Sequence, residues 1–151
     1  MTGGNSEGEA RADAPAARVC VGSYRLELMT SGRVKEISDL VEREIESVTD
    51  RRVVDQIRAL LVTPTPVERL WDYGAPDQRF TCWTVLEHRE SNTGIAFCSE
   101  GFGPLDPWGL VFLSGPHMSI GMDSSWFVSL EDAFRNSMAW QEDNPEGYEV
   151  Q

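Results

Sequence analysis

The chain has 151 residues, 40% of them apolar, with 13 Lys and Arg set against 25 Asp and Glu for a net charge of −12. That length can bury a real core within one domain, and the charge excludes a phosphate-backbone binder, which needs clustered Lys and Arg. No apolar run approaches the roughly 18–20 residues of a membrane helix, so neither nucleic acid nor membrane is expected as a partner.

Residues 1–17 carry no large apolar side chain and cannot offset their ordering entropy by burial, so a disordered tail is expected there. The same opening lacks the apolar segment of a secretory signal. Three cysteines form no CxxC pair, and an odd count argues against a disulfide framework. A cytoplasmic protein with reduced thiols is the expectation. In SYRLELM, Tyr24, Leu26 and Leu28 alternate with polar residues, the period of a half-buried strand. In the next stretch Val34, Ile37, Val41, Ile45 and Val48 recur at helical spacing. TDRRVVDQIRALL predicts a second helix, capped by Thr49 or Asp50, with Val53, Ile57, Leu60 and Leu61 as its stripe. The short break makes the two an αα-hairpin, and Pro64 and Pro66 stop further helix.

From Val67 the pattern is β. FTCWTVLEH and GIAFCS are strand candidates joined by RESNT as a hairpin loop. WGLVFLS is a third strand and MSIGM a weaker fourth. SLEDAFRNSMAW predicts one helix, begun by Ser129 with Asp132 at the reciprocal capping position. The expected fold is α+β: an N-terminal strand and αα-hairpin, an antiparallel meander of about four strands, and a C-terminal helix. The expected domain is 18–141, followed by an acidic tail over 142–151.

The acid excess is uneven. Residues 1–62 carry a net −2, while 63–128 and 129–151 carry −5 each. Three turn-rich segments of the β half set carboxylates beside large aromatics. LWDYGAPD holds Trp71, Asp72, Tyr73 and Asp77. EGFGPLDPWG holds Glu100, Phe102, Asp106 and Trp108. GMDSSWF holds Asp123 and Trp126. Each Trp can be read as core with its acids simply solvated. The repetition over three segments favours a binding face, since rigid aromatics supply contact area and carboxylates steer and hydrogen-bond Arg or Lys. A basic protein is the partner such a face fits.

Other chemistries have less support. Cys82, Cys98, His88 and His117 are soft ligands without the close CxxC or HxxxH pair usual in a zinc site, so no metal and no cofactor are expected. The glycines of GFGPLDPWG lack the Lys and Ser/Thr of a phosphate loop. Cys98 with His88 or His117 as base, or paired carboxylates, could serve a small cytosolic enzyme in a cleft near the 98–109 loop. Against this, Glu100 beside Cys98 offers no electropositive setting for a thiolate.

A small, acidic, Trp-rich α+β domain bearing WDYG, EGFGPLDPWGLVF and MDSSWF resembles, in character across residues 18–140, the immunity proteins of bacterial polymorphic-toxin and contact-dependent inhibition systems. That resemblance implies a non-enzymatic inhibitor that blocks or caps a cognate toxin domain, often a basic nuclease. It assigns no role to any residue.

Overall fold

The computed structural model describes residues 30–122 and 124–142. The strand expected at 24–28, the expected tails, Cys20 and Asp123 lie outside them, apart from Glu142. The chain divides between Glu36 and Ile37 into two units. Of the first, residues 30–36 are described, and they form the opening turns of helix α1 (30–46) with an Arg33–Glu36 ion pair at 3.3 Å. Everything below concerns the second unit.

From Ile37 onward α1 buries Ile37, Val41 and Ile45, the stripe its spacing predicts, and Val48 is buried just beyond its end. Helix α2 (Arg51–Leu60) is capped by Asp50, whose carboxylate accepts from Arg52 N at 3.0 Å, and it buries Val53 and Ile57. Arg58 ties the hairpin together through two 3.1 Å bonds to Glu42.

The β half is a five-stranded antiparallel meander in sequential order: β1 (Leu61–Leu70), β2 (Arg79–His88), β3 (Thr93–Phe97), β4 (Trp108–Phe112) and β5 (Ser125–Phe127). The α+β class is therefore the fold. Its details correct the expectation in three places. First, strand β1 begins directly after α2 and runs through Pro64 and Pro66. Both prolines are tolerated because β1 is the sheet edge, where a missing N–H interrupts no second ladder, and because pairing with β2 shifts between Leu61 and Thr65. Second, the segment around MSIGM is no strand. It makes a single parallel bridge, Trp71 to Ile120, at the end of β1, and the fifth strand lies further on. Third, the C-terminal helix is two: α3 (Leu130–Arg135) and α4 (Met138–Glu142). Ser129 caps α3 by accepting from Asp132 N at 3.0 Å. The break follows from Asn136 and Ser137, which close α3 onto Asp132, Ala133 and Phe134. Ser137 Oγ, donating to Phe134 O, then accepts from Trp140 N as α4 begins.

Strand register gives the sheet two unlike faces. In one cross-strand row Trp83 stands opposite Phe97, Phe97 opposite Trp108 and Trp108 opposite Phe127. One residue along, the row is Thr84, Ala96, Gly109 and Trp126, pointing the other way. Helices α2 and α3 pack on one another, α2 against β2 and α3 against β4 and β5. The Cys82, Ala96, Cys98 and Val111 side chains are covered instead by the β4–β5 connection, through Ile120, with Trp71, Phe80 and Trp126 around them. That connection is fastened to β1 by Arg69. Its side chain, 1% exposed, donates to Met118 O at 3.1 Å and to Phe112 O at 3.0 Å. Among the described residues no helix is long and apolar enough to cross a membrane.

Candidate interaction site at one end of the sheet

Three connections meet at the end of the sheet where β1 finishes and β2 begins: 71–78, 98–107 and 118–124. Each is locally stiff. In the second, Cys98 N donates to Pro107 O at 2.9 Å, Gly103 N to Glu100 O and Asp106 N to Phe102 O. Gly101 there has φ +67°, a backbone that L side chains resist, and its Cα lies against Trp71 and Phe80. In the third, Gly121 at φ +137° presses on the Asp72 carboxylate.

These turns bring together aromatics that are far apart in sequence. Trp71 is 5.2 Å from Tyr73 and 5.2 Å from Phe102, both edge-on, and 5.4 Å from Phe80. Tyr73 is 6.3 Å from Phe102, and Phe102 is 5.9 Å from Trp126. Trp126 itself is pinned: its Nε1 donates to Ser124 Oγ at 2.8 Å, and that oxygen also accepts from Gly121 N. Ring contacts at such distances and tilts add about 0.5–1.5 kcal/mol per pair beyond burial, so the cluster is a preformed platform. Its surface stays apolar at exposed points on the same connections: Tyr73 is 59% exposed, Leu105 79% and Met122 71%.

The carboxylates separate into two kinds. Asp72 is structural, since it accepts from Met122 N at 3.0 Å and its own N–H donates to Ile120 O. Asp77 and Glu100 are exposed and Asp106 is half-buried, and among the described residues none of the three is in an ion pair. Elsewhere acids have cationic partners. A hydrogen bond from Arg58 lowers the Glu42 carboxyl below its usual range, and one from Arg52 does the same for Asp50. Arg79 is the only cation along the 71–79, 98–107 and 118–124 stretches.

Of the ten residues singled out from sequence, Trp71, Tyr73, Phe102 and Trp126 form the cluster, and Asp72, Asp77, Glu100 and Asp106 lie on the connections that carry it. Asp123 is outside the described residues. Trp108 does not belong. It is 1% exposed, stacks on Phe97 at 5.2 Å and belongs to the helix-facing aromatic row, so a partner cannot reach it in this fold. Sequence reasoning missed Phe80 and Gly109. Phe80 was legible as the first apolar position of the β2 alternation. A Cβ on Gly109 would stand inside the indole of Trp126, a fit that no local signal reports. Gly109→Ala is accordingly expected to destabilise by about 1–3 kcal/mol, the usual scale of overpacking, and to change the near-ultraviolet circular dichroism as Trp126 is displaced. An unchanged spectrum would mean the indole does not lie over Gly109.

The thiol chemistry considered from sequence has no dyad. Cys98 is 1% exposed and adjoins Cys82; both are free thiols. A hydrogen bond to Cys98, reinforced by burial, holds the Cys82 thiol far above its ordinary range, so it stays protonated. His88 ends β2, six residues or about 20 Å along the strand from Cys82, and His117 lies against Phe112 at that same far end. Among the described residues no group of three or more His, Cys, Asp or Glu is placed to hold a metal ion. No family model, curated protein or solved structure matches the chain.

Proposed function

We propose that this chain is a non-enzymatic binding protein of the immunity type, which captures a basic protein, a toxin domain in the first instance, on the aromatic and acidic end of its sheet. One observation carries the reading: three connections distant in sequence converge on a single aromatic platform with exposed apolar tips and carboxylates that form no ion pair among the described residues. That is the anatomy of an interface, with anchors at the centre and charge at the rim. The Cys98–histidine form of the enzyme reading finds no comparable support, because neither histidine is near Cys98.

The test has two arms. A photo-crosslinking residue at Tyr73 should capture a basic protein from the native host, and the same residue at Glu90, exposed on the β2–β3 turn at the opposite end of the sheet, should not. With that partner purified, the association rate should fall steeply between low and physiological ionic strength. Reversing Asp77, Glu100 and Asp106 together to Lys should cost roughly 2–5 kcal/mol of affinity, since the partner's cations lose a pair and gain a repulsion. Stability should move by only about 0.5 kcal/mol, because the three lie on surface connections. A partner that binds the triple variant normally, at a rate indifferent to salt, would refute this function.

A further inference from the structure

At the opposite end of the sheet a second feature has no part in that interface. A groove of about 270 Å³ lies between strands β2–β5 and helix α4. Its walls are Leu86, Ile95, Leu110, Met138 and Ala139. Met138 is 45% exposed, and Ser125 on the rim is also exposed, so the groove opens to solvent. The space equals on the order of nine waters at liquid density, too large for a packing flaw and near the lower bound of small-molecule pockets.

One end of the groove is polar and organised. His88, 4% exposed, and Thr93 both line it and stand directly opposite each other in the β2–β3 ladder. Ser91 joins them behind: its Oγ is 2.7 Å from His88 Nδ1 and 2.6 Å from Thr93 Oγ1. A hydroxyl offers one donor and two acceptor positions, and a single bond to Ser91 leaves Thr93 with capacity to spare. No Asp, Glu, Lys or Arg stands among the described lining residues. A formally charged ligand would therefore be desolvated with no Asp, Glu, Lys or Arg among the described lining residues to oppose it, whereas a neutral one meets no such penalty.

We infer that this groove is a binding site for a small neutral aromatic molecule carrying one hydrogen-bonding group, its ring between Leu86, Ile95, Leu110 and Met138 and its polar atom at Thr93. The site is independent of the proposed protein interface.

Indole is the probe, being neutral and aromatic with a single N–H donor, and benzoate is the charged control. Each is titrated into the isotope-labelled full chain and followed through backbone amide shifts. Indole, up to about 1 mM, should give saturable shifts centred on Thr93, Ile95, Leu110 and Ala139, and benzoate should give none there. Thr93→Val should weaken indole binding by up to about tenfold, the scale of one hydrogen bond. Leu110→Trp, which fills the groove, should abolish the shifts while the spectrum stays dispersed. Should Leu110→Trp fail to fold, Ser125→Phe at the exposed rim makes the same test. Absence of saturable indole shifts, their persistence in the filled variant, or equal shifts with benzoate would each overturn the assignment. So would shifts of the same amides with protein concentration alone, which would place a second copy of the chain in the groove.

Discussion

Replacing Trp108 by alanine is expected to lower the unfolding free energy by about 3–5 kcal/mol, the range for truncating a fully buried Trp or Phe. Trp108 occupies the third position of the Trp83–Phe97–Trp108–Phe127 row and is 1% exposed. Its loss leaves a cavity between neighbours on β3 and β5, and two stiff strands cannot collapse into it. Because small domains are stable by only about 5–15 kcal/mol in total, the variant should have a sharply lower urea midpoint. The same experiment sorts the tryptophans. Binding per folded molecule should be unchanged in Trp108→Ala, because the residue never meets the surface. A variant as stable as the wild type but weak in binding would mean that Trp108 faces the partner, and the strand register described above would then be wrong.

Arg69→Ala is expected to cost a comparable amount, about 3–5 kcal/mol, for a different reason. The guanidinium is buried with no carboxylate of the described residues within ion-pair distance, and burial lowers its pKa from the ordinary value. It is held by two carbonyl oxygens, Met118 O and Phe112 O, while Nε has no partner among the described residues. Truncation removes the side chain's packing and unties the β4–β5 connection from the sheet edge. Since that connection carries Ile120, Met122 and Ser124, the aromatic platform should loosen as well. The decisive comparison is Arg69→Met, which keeps most of the volume and discards the charge. It should recover the packing share of the loss but not the order of residues 118–124, read as amide exchange in that segment. A methionine variant with wild-type stability and wild-type protection there would show that the two hydrogen bonds do no net work.

How much of this was legible in advance depends on the range of the forces involved. Residues 37–60 could be read as helices because a 3.6-residue stripe needs only a neighbouring apolar surface, whatever its identity. The caps at Asp50 and Ser129 are equally local, since a side chain bonds a backbone N–H two or three residues on. Strands β2 to β4 were legible from their apolar and aromatic runs, and the three acid–aromatic connections from composition alone.

Tertiary structure decided the rest. Pro64 and Pro66 read as terminators until β1 proves to be an edge, where their missing N–H groups face away from β2. The start of α3 likewise draws on a tertiary contact beside its local cap: Glu44, from a different helix, accepts from Leu130 N at 2.8 Å. The tryptophans make the point most directly. Trp108 and Trp126 both follow turn-rich, acidic stretches, and their compositions do not distinguish them. Register with β3 and β5 sets Trp108 in the aromatic row of one face and Trp126 over Gly109 on the other. A one-residue shift along a strand exchanges its faces, and that parity is set by pairing partners far away in the chain. Sequence composition could therefore name the residues of an acidic aromatic face, but only long-range strand pairing could decide which of them point outward.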